Sequence, residues 1–152
     1  MRNGTRHTWK IGTVVVALVL AFAACGGDDG GDGIDITLSE FAIAASPSSV
    51  TAGDVTFNIS NGGAETHEFV VIQTDLGITE LPTGEDGSVS EEGEGMTVVD
   101  EVEDLPSGDT AELTVDLDPG SYVFICNIVE EEDDGTSESH YQEGMRTSFT
   151  VE

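Results

Sequence analysis

Short runs in which apolar and polar residues alternate, with turn-forming stretches between several of them, recur along this 152-residue chain and constrain its fold more than any other feature. Ile34 to Leu38 reads IDITL, Val55 to Ile59 reads VTFNI, and Arg146 to Glu152 reads RTSFTVE. A period of two puts every second side chain on one face of a strand, so each run has one face to bury and one to leave in water. Glu68 to Gln73, EFVVIQ, is rich in β-branched and aromatic residues that suit a pleated surface. AELTVDL from Ala111 and SYVFIC from Ser121 flank Asp118-Pro119-Gly120. That proline and glycine fit a type II turn, and the two runs are expected to pair as a hairpin. SPSSVTAGD and NGGAE supply turn chemistry between the earlier runs. No stretch sustains an apolar period of 3.6, so helix is limited to a short turn. The fold class expected is all-β, an antiparallel β-sandwich.

The first 24 residues stand apart from this pattern. Arg2, Arg6, His7 and Lys10 form a positive head, and Ile11 to Ala24 is an uncharged apolar run of 14. That length suits the core of a signal peptide and falls short of the roughly 20 residues a spanning helix needs. FAAC, ending at Cys25, resembles the lipobox of bacterial lipoproteins, with Phe22 where leucine is usual. The resemblance implies cleavage before Cys25 and a lipid on its thiol; the alternative is an ordinary cleavage site with an incidental cysteine. Residues 25–33, rich in glycine and aspartate, have almost nothing to bury and are read as a lipidated tether. A single domain is then expected over 34–152, outside the cytoplasm and held by lipid at the cytoplasmic membrane.

Charge narrows the partners. All 31 acidic residues lie beyond the first 24 positions, and Arg146 is the one Lys or Arg there. Such a surface repels nucleic acid and anionic head groups and attracts a cationic protein patch, with a pull that salt weakens. A high-salt habitat is an equally good reading of the acidity. Asp75 to Asp100 breaks the strand rhythm with glycine, glutamate and serine, and an excursion that long is either functional or mobile.

The chemistry-bearing residues are few. If Cys25 is acylated, Cys126 is an unpaired thiol in an oxidising compartment, a liability unless something occupies it. Beyond the positive head the histidines are His67 and His140, and Met145 follows the second of them. Two imidazoles, a thiolate and a thioether form the set that holds copper in a trigonal His₂Cys plane with a weak axial methionine. Met96, inside the glycine- and glutamate-rich excursion, is a poor axial candidate. Zinc in a structural role prefers four Cys or His ligands and has no use for a thioether, and EEEDDG lacks the spaced acids of a tight calcium loop. There is no nucleophile with an adjacent base, so catalysis is not expected.

NGGAETHEFVV, GSYVFICNI and HYQEGM with its closing strand resemble the cupredoxins, in particular bacterial plastocyanin-like and azurin-like domains. The resemblance implies a Greek-key β-sandwich with one copper ion at its end. It makes His67 the first ligand, Cys126 the thiolate, His140 the second imidazole and Met145 the axial ligand, with the ring edge of His140 facing a surface patch. The chain departs from the family in placing thirteen residues between Cys126 and His140, EEEDDGTSE among them. Loop closure costs only about 0.6 kcal/mol per doubling of length, so the insertion is expected to bulge into solvent without moving the ligands. Its carboxylates should favour Cu(II) and lower the potential. The function implied is a monomeric, lipid-anchored electron carrier that meets membrane-associated redox proteins through a basic patch on the partner. Copper sequestration or delivery with the same ligands, and a metal-free adhesive sandwich, are the alternatives.

Overall fold

The computed structural model describes residues 33–131 and 135–152. The signal segment, Cys25 and the tether up to residue 32 lie outside the described residues.

Two sheets face each other. One has the order β2-β1-β4-β7, built from β1 (Ile34–Ser39), β2 (Ala42–Ser46), β4 (Gly53–Asn61) and β7 (Thr110–Leu117). The other has the order β3-β11-β8-β5-β6, from β3 (Ser49–Val50), β5 (His67–Thr74), β6 (Met96–Leu105), β8 (Gly120–Ile125) and β11 (Arg146–Val151). β1 runs parallel to β4 and β3 parallel to β11, while the other pairs in these sheets are antiparallel. The all-β sandwich expected from strand alternation is therefore present.

Alternation explains the core. Ile34, Ile36 and Leu38 of β1 and Val55, Phe57 and Ile59 of β4 turn inward against Phe69, Val71, Tyr122, Phe124, Phe149 and Val151 of the opposite sheet. Phe57 sits at the centre, with the rings of Phe69, Phe124 and Phe149 at 5.4, 5.3 and 6.1 Å. The continuous apolar character of β5 and β8 has a separate cause. Val70, Ile72, Val123 and Ile125 point away from the sandwich and are buried under Leu81, Val89 and Tyr141. A sheet covered on both faces has no polar face to show.

The cover comes from the excursion after β5, which is ordered. Thr83 bridges Val89, the carbonyl of Ile78 accepts from the Tyr141 hydroxyl at 2.9 Å, and the last residues of the stretch begin β6. Met96 packs there with Leu76 and Val98.

The expected hairpin across Asp118-Pro119-Gly120 does not form. β7 pairs with β4 and β8 with β11 and β5, so the turn carries the chain from one sheet to the other. Gly120 has φ 158°, not the roughly +80° of the third position of a type II turn. The Tyr122 hydroxyl donates to the Asp118 carbonyl at 2.8 Å and pins this crossing. A turn sequence specifies a local bend, whereas the choice of neighbour belongs to the faces each strand must bury.

Candidate metal centre

His67, Cys126, His140 and Met145 are far apart in the chain and meet at one end of the sandwich. His67 opens β5 on the inward parity of Phe69 and Val71. Cys126 follows β8 on the inward parity of Tyr122 and Phe124. Met145 lies next to Cys126 because β11 and β8 are in register at Arg146 and Ile125, and the Cys126 amide donates to the Met145 carbonyl at 3.1 Å. His140 is the first residue of α1 (His140–Glu143), and its carbonyl accepts from the Met145 amide at 2.9 Å.

The long Cys–His connection does not bulge away as a loose loop. Its ends zip into a hairpin of β9 (Val129–Glu131) and β10 (Ser137–Ser139), with Ser139 opposite Val129. The His140 amide donates to the Ile128 carbonyl at 3.0 Å. Ser139 then caps α1, accepting from the Gln142 amide, while its hydroxyl donates to the Gly87 carbonyl at 2.8 Å. The chain distance between the two donors is cancelled by strand pairing, which returns His140 to the side of Cys126.

Donor atoms of His67, Cys126 and His140 all lie within 4.8 Å of one another. The two Nδ1 atoms are 3.3 Å apart, and Nδ1 of His140 is 3.4 Å from Cys126 Sγ. Bonds of about 2.0 Å from imidazole nitrogens to a first-row metal, spread at about 120°, put neighbouring donors about 3.5 Å apart. The residues present therefore fit the trigonal face of a copper ion, and the arrangement, with buried Met145 beside it, is the geometry of a single type 1 copper site.

The centre is dry. All four side chains are 0% exposed. Burial, with the nearby Glu68 and Glu130 charges, pushes the Cys126 thiol up to about 11 against the pull of backbone amides at Glu68 and Ile128. The Glu68 amide reaches Sγ at 3.2 Å. A thiol in that state gives up its proton when a metal takes the sulfur. Burial likewise holds His67 below its ordinary value, helped by the neighbouring His140.

One expectation is corrected here. The ring edge of His140 does not face solvent. Phe41, half-buried in the turn between β1 and β2, stands edge-on to the imidazole at 5.2 Å, and Glu65 Oε2 lies 3.8 Å from its Nε2.

Residues that the sequence did not single out shape this end of the molecule. Asn61, 2% exposed, donates to the carbonyls of Glu65 and Leu105 at 2.7 and 2.9 Å and accepts from the Gly63 amide at 2.9 Å, tying down the loop that delivers His67. Glu40 Oε1 accepts from the amides of Ala64 and Glu65 at 2.6 and 2.9 Å. These backbone hydrogen bonds pull Glu40 down to about 2. A Cβ at Gly63 would press against that carboxylate and would have to push it aside, so the glycine leaves Glu40 room to reach the two amides. NGG signalled a turn and Glu40 one acid among many; nothing in the linear pattern pairs them.

Solved structures of the same architecture include reduced auracyanin from Roseiflexus castenholzii, with a TM-score of 0.55 and 18% identity over 80% of this chain and 98% of that one. Auracyanin A, a "blue" copper protein from Chloroflexus aurantiacus, gives 0.53 and 19% over 79% of this chain and 98% of its own. Rusticyanin from Thiobacillus ferrooxidans gives 0.52 and 13% over 81% and 79%. At such identities the likeness is one of fold, and that fold is the cupredoxin sandwich. No family model and no curated protein matches the chain.

Proposed function

We propose that the protein is a one-copper electron carrier, anchored through a lipid on Cys25 to the outer face of the cytoplasmic membrane. The observation that carries this reading is the convergence of two Nδ1 atoms and one Sγ at 3.3 and 3.4 Å in a site closed to water. Copper bound there would supply a one-electron Cu(II)/Cu(I) couple, and His67, Cys126, His140 and Met145 would hold it.

The residues of the chain do the rest. β5, β8 and β11 fix three of the donors through ladder register, and α1 with its Ser139 cap fixes the fourth, so the cage changes little when charge changes. Exclusion of water removes the solvent reorganisation that would slow transfer. Arg146, whose guanidinium donates to the Tyr141 carbonyl and lies 5.0 Å from that ring's centre, secures the segment between His140 and Met145.

Partners follow from charge. Exposed Glu40 and half-exposed Glu65 and Glu138 stand around the two histidines and suit a membrane-associated redox protein that offers a basic patch. Among the described residues no helix is long and apolar enough to cross a membrane.

Cu(II) added to the purified protein is expected to produce an intense visible absorption that Cys126→Ser abolishes. A colourless product, or colour that survives the substitution, refutes the site. Reversible, fast voltammetry supports the carrier, whereas slow exchange with ready transfer of copper to a chelator identifies a sequestration or delivery protein. Mass spectrometry of the membrane-extracted protein tests acylation of Cys25.

A further inference from the structure

Each imidazole of the metal centre has its second ring nitrogen turned towards a carboxylate. His67 Nε2 lies 3.4 Å from Glu40 Oε1, and His140 Nε2 lies 3.8 Å from Glu65 Oε2. Glu138, delivered by β10 of the acidic hairpin, joins Glu65 and His140 in a group whose ligand-type atoms are within 4.8 Å of one another. Both Nε2 atoms and Glu65 Oε2 are buried and make no hydrogen bond among the described residues.

A buried lone pair facing a carboxylate is repelled, while a buried N–H facing one is stabilised. The proton of the neutral His67 ring therefore belongs on Nε2, 3.4 Å from Glu40, which leaves its Nδ1 to accept from His140 Nδ1 at 3.3 Å; when a metal takes both Nδ1 lone pairs, the proton of His140 also belongs on Nε2, facing Glu65. We infer that Glu40 and Glu65 are positioning residues for the copper ligands, fixing the Nε2–H tautomer of His67 and His140 and placing negative charge behind each imidazole to favour Cu(II). The inference rests on the copper reading given above and adds to it which groups hold the donors ready and set the potential.

The anchoring of the two acids supports the role. Glu40 is clamped by the Ala64 and Glu65 amides, and the Glu65 carbonyl is held in turn by Asn61 Nδ2 at 2.7 Å. One turn and one loop, from the two strands that pair in parallel, thus hold the Glu40 carboxylate and the Glu65 backbone beside the rings. A carboxylate behind a metal-bound histidine strengthens the donor, and losing such a group typically costs about 10- to 100-fold in metal affinity.

The test uses the full chain. Glu40→Gln keeps an oxygen for the Ala64 and Glu65 amides and removes only the charge, and Glu65→Gln does the same at His140. In both variants the visible absorption should persist while Cu(II) affinity, measured by chelator competition, falls about tenfold more than Cu(I) affinity, which is a rise of about 59 mV in midpoint potential for a one-electron couple. Nitrogen-15 NMR of the metal-free protein should show the proton on Nε2 of His67, and Glu40→Ala should lose that preference. An unmoved potential in both variants, or an Nδ1–H ring at His67 in the metal-free wild type, overturns the inference. So does zinc that binds the copper-loaded protein, shifts its absorption and is lost in Glu65→Gln, because the carboxylates would then ligate a second cation. Absence of the absorption in the wild type is the separate failure of the copper reading, and the tautomer measurement decides the positioning role without copper.

Discussion

At the scale of single residues, the carboxylates of this protein divide by what surrounds them. Glu68 is raised to about 7 from an ordinary 4.5, first by burial and then by the charges of Glu101 and Glu91. Glu101 is raised by burial and by Glu91, Glu103 and Asp100. Below 4.5 these groups are protonated whether the chain is folded or not. As pH rises above 4.5 the unfolded chain gives up protons that the folded one retains, up to about 7 for Glu68, so the contribution of both groups to stability declines with rising pH. His67, held below 6.5, works in the opposite sense and loses stability as pH falls, but it is common to wild type and variant and drops out of their difference. Urea unfolding of the metal-free protein should therefore show Glu101→Gln gaining on wild type as pH rises over this range, and a pH-independent difference would refute the assignment. His67, Cys126, His140 and Met145 were legible in the sequence because soft donors are rare in it. Glu40, Glu65 and Asn61 were not, since an acid or an amide in an acidic, turn-rich chain has no signature until folding gives it a neighbour.

Elements show where local pattern ends and packing begins. β1, β4, β5, β8 and β11 were each visible as alternating or apolar runs, and the helix is as short as the missing 3.6 period required. β3 lies in a stretch that reads as turn, β2 in one that the alternation did not single out, and the start of β6 in one that reads as excursion, because an edge strand needs little of its own sequence when a neighbour supplies the ladder. The acidic hairpin lends itself to a direct test. Val129 and Ser139 are cross-strand partners, and paired Cα atoms lie about 4.5–5.5 Å apart, close to the 3.8 Å of consecutive residues. Deleting residues 130–138 joins them with little strain and removes Glu138 from the side of His140. The copper absorption should survive and the midpoint potential should rise. Loss of metal on deletion would mean that the hairpin stem, and not merely its ends, is needed to build the centre.

For the molecule as a whole, the dry metal end and the packed interior are continuous: Cys126 and Met145 belong to the same core cluster as Phe57, Phe69 and Phe124. Phe57→Ala should cost about 3–5 kcal/mol, as expected for emptying a fully buried aromatic position, measured by denaturant unfolding of the metal-free protein. A loss below about 1 kcal/mol would show that the ring cluster relaxes to fill the space. By itself the sequence determined that strands would form, which face each would bury and which four side chains have the chemistry to hold a soft metal, because side-chain period and donor type are properties of residues read locally. Tertiary structure alone decided that β7 and β8 part to opposite sheets, that the excursion after β5 covers the second sheet, that His140 is sealed by Phe41 and that carboxylates stand behind both imidazoles. Those outcomes depend on which distant surfaces exclude water from one another, and that competition is settled only when the whole chain has packed.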